Sequence, residues 1–161
     1  MKAVLMSIQP KWCELIASGK KTVEVRKTRP KIKTPFKVYI YMTKNFNRGI
    51  NSSFYYYKNG KVIGEFVCDE IIELAPINRA DEDIEKQTCL SREQIVKYLR
   101  GKGYGWHISN LIIYDEPKEL SEFYVYCHRC DERPIACKFA YEESNESGYY
   151  SECMFDFKRP I

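Results

Sequence analysis

The sequence lacks a long hydrophobic run and the features of an exported or modular protein. No segment of its 161 residues approaches the roughly 20 consecutive apolar residues that a membrane-spanning helix needs. The apolar stretch at the N-terminus is too short for a signal peptide, and no small-residue cleavage site follows it. The chain has no internal repeat and no Pro/Ser-rich linker. We therefore expect a cytoplasmic protein with one main domain and no membrane partner.

A strong imbalance of charge is also missing. Lys and Arg together number 26 and Asp and Glu 22, which gives a net charge of +4. This mild excess favours anionic partners, but it does not by itself predict nucleic-acid binding. Aromatic residues are abundant instead, with 13 Tyr, 8 Phe and 2 Trp. Because Tyr combines a flat face with a polar tip, a β-rich core, a stacking surface or both are expected.

The cysteine pattern does not favour a disulfide framework. Seven cysteines are an odd number, and in a chain without an export signal they predict reduced thiols or a metal site. Cys127 and Cys130 form a C-x-x-C pair, and Cys137 and Cys153 would complete the four ligands of a structural zinc ion. The segment has few apolar residues, so a bound metal would help it to fold. The alternative is a set of reduced, partly buried thiols.

The hydrophobic pattern predicts short strands and two helices without regular alternation between them. Strands are predicted at 3–8, 22–27, 35–44 and 108–117, a hairpin at 54–74 around Asn59-Gly60, helices at 9–19 and 91–101, and loops at 75–90 and 101–107. Ser91 and Gln94 have the spacing of a capping box at the start of the second helix. The glycine-rich stretch at 101–107 lacks the spacing of a P-loop. This order argues against a doubly wound sheet and favours an α+β fold, a small mixed β-barrel with peripheral helices.

The most informative stretch is SGKKTVEVRK, residues 18–27, which combines one glycine, four cations and one carboxylate. Gly19 fits the left-handed end of the first helix. Glu24 and Arg26 share a face of the following strand, about 7 Å apart, and Lys21 has the opposite parity unless the turn redirects it. Arg26 offers a planar fork for a phosphate or a base edge, and a Lys beside a Glu can act as a base or fix its partner's geometry. The alternative is an ordinary polar strand face after a helix end.

The run from Gly19 to Arg26 resembles the G-x-K-x-x-E-x-R signature of the ASCH domain, a β-barrel of the PUA-like superfamily. The segments KVYIYMTK, GKVIGEFVCDEI and GYGWHISNLIIYDEP look like later strands of that barrel. The resemblance covers roughly residues 1–120. It implies an ASCH/PUA-like β-barrel with two or more peripheral helices over 1–120. Residues 121–161 would form a Cys-rich C-terminal extension that packs on the barrel or completes it.

The resemblance implies binding of RNA or another single-stranded nucleic acid in a basic cleft beside the signature. The residues expected to bind it are Lys21, Glu24, Arg26, Lys27, Arg29, Lys44 and Trp106. Further candidates for base stacking are Tyr55, Tyr56, Tyr57 and Tyr104, each of which could instead pack in the core or the hairpin.

Two other functions remain open. Some members of the family are N4-acetylcytidine amidohydrolases and some are reported as ribonucleases; an enzyme of this kind would use Lys21 and Glu24 as catalytic residues. The amidohydrolases carry Thr where Glu24 stands, and their later catalytic Glu would be Glu65 or Glu70 here. His107 could serve as a general acid or base, or simply pack at a strand start. The last alternative is a phage-type module that binds a protein partner.

Overall fold

The computed structural model describes residues 2–44, 57–74, 82–127, 131–134 and 155–156. Its strands are β1 Lys2–Ile8, β2 Val23–Arg26, β3 Phe36–Met42, β4 Val62–Cys68, β5 Ile71–Glu73, β6 Tyr104–His107, β7 Ser109–Lys118, β8 Tyr124–Cys127, β9 Asp131–Pro134 and β10 Phe155–Asp156. Its helices are α1 Pro10–Ala17, α2 Glu82–Thr88 and α3 Arg92–Leu99, and a 3-10 turn spans Leu120–Glu122.

The described strands form a mixed α+β fold with separate sheets. The larger sheet has the order β10-β1-β3-β4-β7, and a smaller one has the order β2-β6-β5. β8 and β9 form a two-stranded ribbon. β1 and β3 run parallel, whereas β3, β4 and β7 are antiparallel neighbours.

The α+β class of the prediction is confirmed, but the strands that the structure describes do not close into the predicted small mixed β-barrel. Within them, β2 and β5 each pair with β6 alone, so the smaller sheet has two open edges and does not join the larger one. The described strands therefore form two open sheets and a two-stranded ribbon. The predicted division into 1–120 and 121–161 stays a prediction, although β10 pairs with the outer edge of β1.

The main core lies on one face of the larger sheet. Residues of β3 alternate strictly between buried and half-buried, which is the pattern of a strand with one face in the core. Phe36, Val38 and Ile40 on this face pack with Cys13 and Ile16 of α1. This packing places the C-terminal end of α1 next to β2.

A second, smaller core fixes α3 beside β2. Ile95 and Leu99, one turn apart on α3, are buried together with Val25 of β2 and Leu74. The capping box at the start of this helix is confirmed. Ser91 Oγ accepts from the backbone N–H of Gln94, and Gln94 Oε1 accepts from the N–H of Ser91.

Three local predictions need correction. The segment 75–90 contains α2, a helix that local pattern did not indicate. Residues 104–107 of the predicted loop 101–107 form strand β6, where a Cβ on Gly105 would lie only 2.8 Å from Val23 Cγ1. The third correction concerns the hairpin predicted around Asn59-Gly60. Gly60 adopts the expected turn conformation, with φ of 75°. The two residues before Asn59 are helical, however, and strand β4 after the turn pairs with β3 and β7.

In the described ranges, no helix is long and apolar enough to cross a membrane.

Candidate functional site

The turn between α1 and β2 directs Lys21 into the protein. Gly19 has φ of 72°, with open space where a Cβ would stand, so the left-handed backbone and not crowding favours glycine there. The backbone N–H of Lys21 donates to the Leu15 carbonyl at 3.0 Å, which folds the chain back along α1. As a result Lys21 is only 2% exposed. The turn has redirected this side chain to the side occupied by Glu24.

The three charged motif residues form one continuous chain of contacts, which we call the Lys–Glu–Arg network. Lys21 Nζ lies 3.3 Å from Glu24 Oε2, and Arg26 Nε lies 3.6 Å from Glu24 Oε1. At one end Lys21 Nζ donates to the Thr88 carbonyl at 2.7 Å. At the other end Arg26 Nη2 donates to the Ser7 carbonyl at 2.6 Å. The network therefore ties α2 to the end of β1 through β2.

Lys21 also has a structural role at the end of α2. Thr88 is the last residue of that helix, so the ammonium group satisfies a terminal carbonyl and complements the negative end of the helix dipole. A second link joins the same parts, because the Thr22 N–H donates to the Gln87 carbonyl at 2.9 Å. Burial lowers the pKa of Lys21, and the neighbouring Glu24 carboxylate opposes that shift.

The Lys–Glu–Arg network forms the floor of a cleft with a volume of about 540 Å³. The other lining residues come from the end of β1, α1, β2, the residue after β3, the link between α2 and α3, and α3 itself. They are Ser7, Ile8, Gln9, Trp12, Val25, Thr43, Leu90, Gln94, Lys97 and Tyr98. Trp12 and Tyr98 give the cleft one aromatic side chain from each of two helices. Its volume lies within the roughly 300–1,000 Å³ of typical small-molecule sites.

Positive charge predominates around the cleft. Glu24 is the single carboxylate among the described lining residues, against the cations Lys21, Arg26 and Lys97. Lys11 Nζ lies 4.2 Å from the ring centroid of Trp12. Cations thus lie beside the aromatic rings of the cleft as well as on its floor.

The structure brings together only part of the predicted binding set. Lys21, Glu24 and Arg26 line the cleft, and Lys27 lies at its rim with Nζ 5.2 Å from the ring centroid of Tyr98. Arg29 and Lys44 are exposed outside the lining. Trp106 is placed elsewhere. It is 4% exposed and packs edge-on against Phe36, with ring centroids 5.5 Å apart, so it belongs to the core.

The other aromatic candidates also lie away from the cleft or outside the description. Tyr104 packs against the main core, and Tyr57 is exposed outside the lining. Tyr55 and Tyr56 lie outside the described residues.

The acid–base candidates beyond the signature are engaged in other contacts. His107 Nδ1 lies 2.7 Å from Asp69 Oδ1 outside the cleft lining, and this hydrogen bond lowers the pKa of Asp69. Glu65 binds Lys37 and Tyr114, and Glu70 does not line the cleft. Neither later Glu therefore stands beside Lys21.

The predicted binding set contains none of the ten lining residues beyond the three charged residues of the signature. These ten include the four that lie on helices α1 and α3, namely Trp12, Gln94, Lys97 and Tyr98. Gln94 was noted only as a cap, although Gln94 and Tyr98 stand four residues apart and lie beside the buried Ile95 and Leu99. The four-residue spacing of Gln94 and Tyr98 was the signal in the sequence for a second face of α3, beside its buried face, that could contact a ligand.

The predicted zinc site stays a prediction. Cys127 is the last residue of β8, whereas Cys130, Cys137 and Cys153 lie outside the described residues. In the ranges that are described, no group of three or more metal-ligating side chains comes together. Cys13, Cys68 and Cys89 are free thiols, the first two buried.

The comparisons with known proteins agree with this architecture. The family model for the ASCH domain matches residues 6–127, well over half of the chain. A crystal structure of a mutant ASCH protein from Zymomonas mobilis is 19% identical, with a TM-score of 0.51 over 99% of this chain and 91% of that one. The ASCH structure from the same organism is 20% identical, with a TM-score of 0.49 and coverage of 96% and 86%. No curated protein matches the chain. The mutant structure, at 19% identity, supports the fold alone. The family match confirms the resemblance seen in the signature: this chain belongs to the ASCH domain family.

Proposed function

We propose that the cleft binds single-stranded nucleic acid, most naturally RNA, which ASCH domains are generally thought to bind. The observation that carries the proposal is the meeting of three elements in one cleft. These elements are the Lys–Glu–Arg network, the aromatic side chains Trp12 and Tyr98, and the cation Lys97.

The charge of the cleft supports a phosphate-bearing ligand. Lys21, Arg26 and Lys97 outweigh Glu24, and neutralising phosphates releases counterions, which drives association. The Arg26 side chain is 25% exposed in the cleft lining, and its planar guanidinium suits a phosphate or a base edge.

The size of the cleft supports a single strand over a duplex. A cavity of about 540 Å³ holds one nucleotide but not a double helix. Proteins that bind single strands commonly stack unpaired bases on aromatic side chains, and the cleft offers Trp12 and Tyr98 for this purpose.

Fluorescence anisotropy with a labelled single-stranded RNA at several salt concentrations tests the proposal. The informative variant is the double change Lys27→Ala/Lys97→Ala, because both cations lie at the cleft and neither holds the fold together. We expect weaker binding and a salt slope smaller by about 1.4, since each phosphate contact on a single strand contributes about 0.7.

The matched control is Lys33→Ala/Lys86→Ala, which removes the same charge from exposed positions outside the cleft lining. Control and wild type should bind alike. An equal loss in both double variants would mean that overall charge and not the cleft binds RNA. Absence of binding by the wild type would refute the proposal outright.

A second candidate is hydrolysis of a modified nucleoside such as N4-acetylcytidine. It is favoured by the lowered pKa of Lys21 and by the position of its amine beside Glu24 in a cleft of nucleoside size. Chromatography in metal-free buffer would follow release of cytidine by wild type and Lys21→Met. Turnover that disappears in a folded Lys21→Met protein would support an enzyme. If the wild type shows no turnover, nucleic-acid binding would stand as the proposed function of the cleft without hydrolysis.

We also propose one structural zinc ion in the C-terminal segment, supported by the C-x-x-C spacing of Cys127 and Cys130. Elemental analysis of purified protein should give about one zinc per chain. Cys130→Ser should remove it, whereas Cys89→Ser should retain it. A zinc-free wild type would contradict the proposal.

A further inference from the structure

We propose that helix α3 carries the base-recognition side of the cleft. Tyr98 stacks on one unstacked base, and the side-chain amide of Gln94 donates a hydrogen bond to an acceptor on the edge of that base. This inference rests on the proposed nucleic-acid function. It assigns ligand contacts to residues that the G-x-K-x-x-E-x-R signature does not contain.

The rotation of α3 places the two residues together. Ile95 and Leu99 are buried against Val25 and Leu74, which fixes the inward face of the helix. Gln94 and Tyr98 each precede one of these residues, and both line the cleft. Residues four apart on a helix have Cβ atoms about 5–6 Å apart. A planar group stacked on the Tyr98 ring therefore lies within reach of the amide one turn away.

The orientation of the Gln94 amide is determined by the helix cap. Its carbonyl oxygen accepts from the Ser91 N–H at 2.9 Å, and only the oxygen end of the amide can accept that bond. The NH2 end is consequently the one left for a ligand. This group presents two donors at an exposed position in the lining.

Tyr98 is better suited to stacking than Trp12. Its side chain is 43% exposed although it is large and aromatic, and one exposed cation, Lys27, lies by its ring. Trp12 is half-buried, and its ring already has two ammonium groups close to it. Lys11 Nζ is 4.2 Å and Lys21 Nζ 5.2 Å from its centroid. Lys27 is also placed to meet a phosphate next to a base stacked on Tyr98.

The substitution Gln94→Glu separates the cap from the ligand contact. A capping box accepts Glu or Gln at this position, so the bond from the Ser91 N–H is kept. The carboxylate cannot donate, and it repels phosphate. The matched control is Val96→Glu, which adds the same charge to the same helix at a 42% exposed position outside the cleft lining.

Both variants would be melted, and their affinities for short oligo(A), oligo(C) and oligo(U) measured beside the wild type. We expect equal melting temperatures. Gln94→Glu should lose about tenfold in affinity or more, and its order of preference among the three oligonucleotides should change. Val96→Glu should keep the wild-type order and most of the affinity.

A second pair of variants tests stacking. Tyr98→Phe retains the ring and should bind like the wild type. Tyr98→Leu should lose about fivefold to a hundredfold, the range for removing one base–aromatic stack.

The outcomes distinguish the inference from the function on which it rests. If the wild type binds RNA but Gln94→Glu weakens all three oligonucleotides equally, Gln94 does not read a base edge, and the inference fails while RNA binding stands. Equal affinity of Tyr98→Leu and Tyr98→Phe for RNA would likewise show that no base stacks on the Tyr98 ring. If the wild type binds no oligonucleotide, the function and the inference fall together.

Discussion

The floor and the α3 wall of the cleft are built in opposite ways. On the floor, Lys21 and Arg26 donate to backbone carbonyls and flank Glu24, so the fold holds both side chains in place. On the wall, Gln94 and Tyr98 are exposed. The difference teaches that the residues of a recognisable motif need not be those that discriminate a ligand. Here the motif holds the cleft open, and the wall is free to contact what enters it.

The largest effect that would test this comparison is on stability. Lys21→Met removes one partner of a buried ion pair and leaves the Thr88 carbonyl without its donor. We expect a loss of about 3 kcal/mol in the free energy of unfolding, measured by urea denaturation. Lys97→Met, at an exposed position of the same cleft, should change it by no more than about 0.5 kcal/mol. Equal unfolding curves would show that floor and wall do not differ.

A spectroscopic effect of intermediate size uses the two tryptophans. Trp12 lines the cleft and Trp106 packs in the core, so RNA should alter the emission of Trp12 alone. Trp12→Phe should abolish the RNA-dependent change in fluorescence, and Trp106→Phe should preserve it. The reverse result would restore Trp106 as the stacking residue that the sequence suggested.

The smallest expected effect concerns the hydrogen bond between His107 and Asp69, outside the cleft. The bond from His107 lowers the pKa of Asp69 below its ordinary 3.8. The stability that this hydrogen bond contributes is therefore present above the ordinary pKa of Asp69, and it is lost as the pH falls through the lower pKa of Asp69 in the folded protein. Because both side chains are well exposed, Asp69→Asn should cost about 0.5 kcal/mol or less at pH 7. At low pH the unfolding curves of variant and wild type should converge, and a gap that persists there would exclude this carboxylate as the cause.

Local signals in the sequence were sufficient for the elements around the signature. Gly19, the strand after it and the Ser91–Gln94 cap follow from short-range backbone rules, and all are confirmed. α2 was missed because its contacts with Lys21 and Thr22 come from more than 60 residues away in sequence, which no local pattern shows. Whether the sheets close into a barrel likewise depends on pairing between strands that are far apart in the sequence, which local patterns do not show.

The two tryptophans show the same limit at the level of the site. Trp12 follows a lysine and Trp106 follows a glycine-rich stretch with a lysine, so each could be read as a binding residue, and only packing decides which one lines the cleft. The edge contact with Phe36 takes Trp106 into the core, whereas α1 turns Trp12 toward the cleft.

The pairing of β10 with β1 has a practical consequence for anyone who wishes to isolate the part of the molecule that matches the family model. Ala3 is opposite Phe155 and Lys2 is opposite Asp156, so the two ends of the described chain meet in one ladder. The family match, residues 6–127, leaves out both of these pairs. A fragment cut at those limits would lose four of the seven residues of β1 and expose the flank of β3, and it would be prone to aggregate edge to edge. Homology boundaries and folding boundaries are therefore different lines in this protein.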